Sequence, residues 1–251
     1  MPWREARPDP WAQRVRRLGV NPRDRYHRGV NTRIRMSGAA IALVCTVALG
    51  AAGCTHAVTG TPLPDAFVPS ADNPDPSEAI DGVVYVEYPT ALHVQPNERV
   101  AYTHSPPFGG RHDGVWAKCT GIVYPQAIRT ENAVHSLEHG AVWITYNPDL
   151  VSAGDVELLT ERVSGNSHML MSPYPTLDAP ISLQSWGHQL ELDQASDIRI
   201  DQFISALRLN PATYPEVGAT CSIPPLSFDP DNPPPFDPTT PDPASPTTVP
   251  E

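Results

Sequence analysis

Hydrophobic positions in the middle of the chain change between a strand-like and a helix-like spacing. Short runs of apolar, β-branched and aromatic residues predict strands at residues 83–88, 141–146, 168–171, 181–186 and 189–192. The last two runs flank Gly187 and predict a hairpin there. Because the strands are short and alternate irregularly with helical segments, we expect an α+β domain with a small mixed or antiparallel sheet.

Three segments have helical spacing, at about residues 131–139, 152–164 and 197–207. Thr130 is the expected N-cap of the first helix and Gly140 its terminator. Ser152 and Asp155 stand three positions apart, which predicts a capping box at the start of the second. Asp197 opens the third, whose apolar residues recur at i, i+3, i+4 and i+7. The domain therefore has about three helices.

The two ends of the chain lack this periodicity. Residues 1–35 are Arg-rich and predict either disorder or an over-long start of translation. Residues 54–79 are rich in Pro, Asp and Thr, which is typical of a flexible tether. Residues 222–251 hold 11 Pro and no Lys or Arg, and predict a disordered acidic tail. The expected globular domain is then residues 80–221, long enough to bury a core.

Residues 36–53 resemble the export signal of a bacterial lipoprotein. Arg33 and Arg35 precede an apolar run that ends in small residues directly before Cys54. Ala51 stands where Leu is more usual in such signals. The resemblance implies that Cys54 is acylated and anchors the protein to the outer face of the cell membrane. An uncleaved membrane span of marginal length and plain secretion remain as alternatives, and all three place the domain outside the cytoplasm.

Charge is distributed unevenly along the chain. Residues 1–53 hold 10 Arg and 3 acidic residues, a net charge of +7, whereas residues 54–251 hold 7 basic and 25 acidic residues, a net charge of −18. An acidic body argues against nucleic acid as a partner, because such binding depends on neutralising phosphates. It is compatible with cation binding, although solubility explains acidity equally well.

Four cysteines are present, of which two lie in the acidic body. Cys45 lies inside the apolar run and Cys54 directly follows it. Cys119 and Cys221 are therefore the obvious pair for one disulfide, which persists in an extracytoplasmic protein.

The first predicted helix carries the candidate chemistry. On a helix, His135, Glu138 and His139 fall within an arc of roughly 100°. An i, i+4 histidine pair is a ready metal clamp, and His112, in a Gly-rich loop, would supply a third imidazole. Glu138 would be a ligand or an orienting group. Alternatively, the two helical histidines stabilise the end of a short helix and bind loop carbonyls.

Methionines bear on which metal would bind. Met171 lies with Met169 on one face of its predicted strand, and a thioether near imidazoles would favour copper over zinc. We therefore include Met171 as a candidate ligand, although filling the core is the alternative. His104 is either an additional ligand or a solvated loop residue. Three further histidines are expected to be ordinary surface or core residues: His93, His168 and His188.

Catalysis is a weaker prediction. The order His135, Glu138, His139 matches the H-x-x-E-H arrangement of inverted zinc peptidases, but Gly140 and a β-run follow at once, where such enzymes need a long helix. No nucleophile elbow, phosphate loop or dinucleotide fingerprint is present in the sequence. A non-catalytic interaction lipoprotein without metal is the remaining alternative.

Several motifs together resemble a known family. They read PPFGGRH, ending at His112, then CTGIVY, then VHSLEHGAV with its central HSLEHG block, then PYP at 173–175. They are similar to a bacterial family of exported, membrane-anchored proteins that is classed only as a domain of unknown function. Phe108 and Gly109 replace small hydroxyl residues of that pattern, whereas His112 is retained. The resemblance implies export and supplies no chemistry.

These observations predict an exported, membrane-anchored module that binds copper or zinc. Its expected partners are the membrane, through the lipid on Cys54, and an unidentified envelope protein.

Overall fold

A mixed β-sheet of six strands forms the centre of the domain. The structure, a computed structural model, describes residues 65–222 and 227–251. Within these residues the strands are β1 (Val84–Tyr85), β2 (His93–Val94), β3 (Arg99–Ala101), β4 (His112–Asp113), β5 (Thr120–Val123), β6 (Val142–Tyr146), β7 (Met169–Pro173), β8 (Ile181–Ser185), β9 (His188–Leu192) and β10 (Thr248–Pro250).

The six strands of the main sheet follow the order β1-β9-β8-β6-β7-β5. β5 and β6 run parallel to β7, whereas the pairs β6–β8, β8–β9 and β9–β1 are antiparallel. Two small parallel pairs, β2–β4 and β3–β10, lie outside this sheet. The predicted α+β class with a mixed sheet is confirmed, as is the hairpin around Gly187 that joins β8 to β9.

Three α-helices are present in the described part of the chain: α1 (Thr130–Glu138), α2 (Ala153–Val163) and α3 (Arg199–Leu207). The capping box predicted at the start of α2 is present, since the Ser152 and Asp155 side chains each accept from the other's backbone N–H. At α1, Thr130 is the first helical residue and Arg129 is the N-cap, with no side-chain capping bond. α3 begins two residues after Asp197, which accepts the Arg199 N–H.

The core consists of two hydrophobic clusters. Successive side chains of a strand point to opposite faces of the sheet, so Leu170 joins the cluster that contains Val134 and Leu137 of α1. Its neighbours Met169 and Met171 belong to the second cluster, with residues of α2 and α3. This alternation decides which strand side chains can approach α1.

Gly140 allows the abrupt passage from α1 to β6. The Gly140 N–H donates to the Leu137 carbonyl and the Ala141 N–H donates to the Ser136 carbonyl. This is the Schellman arrangement of a helix C-terminus. Gly140 has φ +84°, and a Cβ atom there would lie 2.6 Å from the ring of Tyr214. Both the backbone conformation and the ring require glycine at this position.

We expect Gly140→Ala to destabilise the protein more than Gly165→Ala does. Both glycines have positive φ, but a Cβ at Gly165 meets no atom within 4 Å. The left-handed conformation costs each variant about 1–2 kcal/mol, and overpacking against Tyr214 adds roughly 1–3 kcal/mol for Gly140→Ala alone. Urea denaturation measures both losses, and equal losses would show that the Tyr214 ring simply moves aside.

One disulfide joins Cys119, directly before β5, to Cys221, and both cysteines are buried. The predicted pairing is confirmed. The Cys119 N–H also donates to the carbonyl of Cys221. The segment that follows α3 is therefore fixed to the strand β5 at the edge of the main sheet.

Two segments that we expected to be flexible contact the domain where the structure describes them. Residues 65–79 contain two short 3-10 turns, and Asp75 accepts a hydrogen bond from His188 at 3.0 Å. In the C-terminal segment, β10 pairs with β3, and Phe236 lies against the ring of Tyr174.

Arg99 makes several of the contacts between the C-terminal segment and the domain. Its guanidinium group pairs with the Asp237 carboxylate at 2.9 Å and donates to the Thr239 carbonyl at 2.7 Å. Phe228 is buried as well. A few aromatic and charged contacts therefore hold a segment whose average composition is that of a disordered one.

The predicted export signal, including Cys54, lies outside the described residues. Within the described ranges, no helix is both long enough and apolar enough to cross a membrane.

Candidate metal centre

Four side chains from α1, β2 and β4 converge at one place in the domain. α1 presents His135 and Glu138, one helical turn apart, while β4 carries His112 and β2 carries His93. His93 and His112 are directly opposite each other in the parallel β2–β4 pair. One potential ligand atom from each of the four residues lies within 4.8 Å of all the others. We call this set the inner group.

Glu138 stands at the centre of the inner group. Its Oε2 lies 2.8 Å from Nε2 of His112, 3.8 Å from Nε2 of His93 and 3.9 Å from Nε2 of His135. Ligands at the corners of a tetrahedron around zinc lie about 3.3 Å apart, because each bond is about 2.0–2.1 Å long. The distances from Oε2 of Glu138 bracket that separation, and the four ligand atoms all lie within 4.8 Å of one another.

Backbone carbonyls fix the tautomers of the buried histidines. Nδ1 of His112 lies 2.9 Å from the Gly110 carbonyl, and Nδ1 of His135 lies 2.6 Å from the Asp113 carbonyl. A carbonyl only accepts, so each Nδ1 is the donor, and Nε2 is the nitrogen that the neutral imidazole has available for a metal. Hydrogen bonds of this kind orient metal-binding histidines in known sites.

Two buried atoms of the inner group lack a hydrogen-bond partner: Nε2 of His112 and Oε2 of Glu138. They lie only 2.8 Å apart, but their contact does not have hydrogen-bond geometry. Buried polar atoms are nearly always satisfied, and exceptions call for an explanation such as an ion. A cation bound to both atoms would satisfy them.

Burial keeps the helical histidines neutral. It lowers the pKa of His135 to about 3, even though the hydrogen bond to Asp113 opposes this shift, and it also lowers the pKa of His139. Neutral imidazole is the form that binds metals. His135 and His139 therefore each present an unprotonated Nε2 atom at physiological pH.

A network around Asp113 supports His135. The Asp113 carboxylate forms an ion pair with Arg129 and accepts the Val115 N–H at 2.8 Å. Arg129 also donates to the Glu98 carbonyl at 2.6 Å. Because these bonds hold the backbone of Asp113, its carbonyl keeps the His135 ring in place. No sequence pattern indicated this network.

His139 belongs to a second set of residues, which we call the outer group: His135, His139 and Glu216. Nε2 of His139 lies 3.2 Å from Oε2 of Glu216, and Nδ1 of His139 lies 2.9 Å from the Thr220 carbonyl. The ring of Trp116 lies beside both histidines, with centroid distances of 5.4 Å to His135 and 4.8 Å to His139.

The structure thus brings together three of the predicted ligands, His112, His135 and Glu138, and places His139 next to them. Met171 is fully buried in the hydrophobic cluster of α2 and α3, so its thioether does not support the copper prediction. His104 contacts the ring of Phe108 instead.

His93 is the group member that the sequence interpretation missed. It lies in a two-residue strand, and only the pairing with β4 places it beside His112. Neither its neighbours nor its spacing in the sequence indicated a ligand.

The geometry also differs from that of an inverted zinc peptidase. α1 ends at Glu138, and His139 is the C-cap residue. The Glu138 carboxylate lies inside the inner group, whereas His139 faces Glu216. A peptidase of that type needs both histidines on one ion and the glutamate beside it.

Comparison with known protein families gives a match. A family model described as a protein of unknown function, DUF3105, matches residues 93–223, just over half of the chain. That range contains all members of the inner and outer groups. No curated protein and no solved structure matches the chain.

Proposed function

The chain belongs to the DUF3105 family of unknown function, and we propose that its domain binds a divalent transition-metal ion through the inner group. One observation carries this proposal. Nε2 of His112 and Oε2 of Glu138 are buried, face each other and have no hydrogen-bond partner. The hydrogen bond from Nδ1 of His135 to the Asp113 carbonyl leaves Nε2 of His135 as a third potential ligand atom, 3.9 Å from the same carboxylate oxygen.

The donor atoms favour zinc or copper in the divalent state. Imidazole suits Zn²⁺ and Cu²⁺, whereas Cu⁺ prefers thiolate or thioether ligands. Both cysteines of the described residues form the disulfide, and Met171 lies in the apolar core. The inner group therefore offers three imidazoles and one carboxylate.

Four protein ligands favour holding the ion over catalysis. Catalytic zinc sites keep one position open for water, whereas closed four-ligand sites are structural or storage sites. His93 supplies the fourth ligand and is half-exposed, with 50% of its side chain accessible. We accordingly propose a binding module and not a hydrolase.

The proposed setting is the outer face of the cell membrane. The lipoprotein-like signal before Cys54 supports an anchored, exported protein, and the disulfide fits an oxidising compartment. An envelope protein that delivers or receives the ion is the proposed partner.

Titration of the metal-free, full-length protein with Zn²⁺ and with Cu²⁺ tests the proposal. We expect one tightly bound ion per chain. His112→Ala removes a ligand and should weaken binding at least about 100-fold, since even changes to supporting residues cost 10–100-fold.

His188→Ala is the matched control. His188 is also a buried histidine, but it belongs to neither group and binds Asp75 and the Trp186 carbonyl. It should therefore bind metal like the wild type. Equal affinities in the two variants, or no stoichiometric binding in the wild type, would leave the cluster as a structural element without metal.

A further inference from the structure

The outer group offers a second binding position for the ion. We propose that His135 serves two mutually exclusive metal positions, the inner one and an outer one completed by His139 and Glu216, and that the ion passes between them. This inference rests on the proposed metal binding at the inner group. It adds a second site and a route for loading and release.

The outer group has the features of a ligand set. Its three potential ligand atoms lie within 4.8 Å of one another. The bond from Nδ1 of His139 to the Thr220 carbonyl leaves Nε2, 3.2 Å from Glu216, as the potential ligand atom, and the centroids of the His135 and His139 rings are 4.7 Å apart. The backbone N–H of Glu216 donates to the Glu138 carbonyl at 3.2 Å, which holds the carboxylate-bearing segment against the end of α1.

His135 can serve only one of the two positions at a time. Its Nδ1 is bonded to the Asp113 carbonyl, so Nε2 is its only free ligand atom. Two divalent cations a few ångströms apart would also repel each other strongly in this buried setting. The two positions are therefore alternatives for one ion.

The inner and outer groups together extend between two solvent-exposed residues. His93 at one end and Glu216 at the other have about half of their side chains exposed, 50% and 48%. The side chains of His112, His135, Glu138 and His139 between them are at most 4% exposed. The inner position has four ligands and the outer position three, so the ion is held more tightly inside. The outer position is then suited to exchange with a partner's ligands.

Residual binding in His112→Ala/Glu138→Gln tests the second position. This variant keeps only two inner ligands, His93 and His135, whereas the outer set of His135, His139 and Glu216 is complete, so we expect one weaker Zn²⁺ site. Adding Glu216→Gln should abolish it, whereas adding Glu161→Gln should not, since Glu161 is an exposed residue of α2. Absence of any residual site in the double variant, or its survival after Glu216→Gln, would overturn the second position.

Exchange kinetics test the route. Zn²⁺ release from Glu216→Gln to a chromogenic chelator should be about 10-fold slower than from the wild type or Glu161→Gln, in the range of effects expected from changes around a metal site. An unchanged rate would mean that the ion leaves at the His93 end and would overturn the route. Wild-type protein that binds no ion would instead defeat the proposed function itself.

Discussion

Glu138→Gln should leave the metal-free protein at least as stable as the wild type while removing most of the stabilisation that Zn²⁺ provides. Oε2 of Glu138 is buried without a hydrogen-bond partner. An unsatisfied buried polar group costs about 1–3 kcal/mol, and more when it is charged. The neutral amide avoids the cost of the charge. We therefore expect the variant's free energy of unfolding to rise by up to about 2 kcal/mol without metal.

With Zn²⁺ bound, we expect the wild type to be more stable than Glu138→Gln, the reverse of their order without metal. A ligand that binds only the folded state stabilises it by about 4 kcal/mol at 1,000 times its dissociation constant. The wild type should gain this amount with Zn²⁺ in excess, and a chelator should remove it. Glu138→Gln lacks the central carboxylate and should gain little. Urea denaturation with and without Zn²⁺ gives all four values.

Glu131→Gln is the matched control, because Glu131 is a buried carboxylate on the same helix. Unlike Glu138, it accepts the Val100 N–H at 3.0 Å and pairs with Arg129 at 3.3 Å. Its substitution should cost about 1–3 kcal/mol and leave the effect of Zn²⁺ unchanged. If Glu138→Gln instead destabilises the metal-free protein as Glu131→Gln does, Glu138 has a structural role only.

Removing the disulfide should have the second large effect. Cys119 and Cys221 are 102 positions apart, and a crosslink that closes a loop of about 100 residues stabilises by up to about 4.7 kcal/mol through the entropy of the unfolded chain. We expect Cys119→Ala/Cys221→Ala to lose most of this free energy of unfolding in urea. The wild type in a reducing agent should lose a similar amount, and the double variant should not respond to the reductant.

The disulfide variant should also affect the two groups unequally. Thr220 and Glu216 lie in the segment that the disulfide holds, and they contact His139. The inner residues lie on α1, β2 and β4, which the disulfide does not anchor. Loss of the bond should therefore disturb the outer position and, like Glu216→Gln, slow Zn²⁺ exchange while changing tight binding little. A stability loss below about 1 kcal/mol would mean that the unfolded state is already restricted without the crosslink.

Local patterns in the sequence determined much of this protein. The capping box of Ser152 and Asp155, the terminator Gly140 and the hairpin at Gly187 depend on residues a few positions apart, so their outcome does not require the rest of the fold. The disulfide followed from the absence of other cysteines in the acidic body. The pairing of His135 with Glu138 on one face of α1 followed from helix geometry.

The tertiary structure alone decided which residues join that face. His93 reaches the inner group because β2 pairs with β4, and His139 leaves it because α1 ends at Glu138 and Glu216 lies beside it. Met171 is excluded because the register of β7 turns it toward α2 and α3. Spacing along one element fixes only where its own side chains point. Which other elements stand opposite depends on strand pairing and packing between residues far apart in sequence, and these are properties of the whole fold.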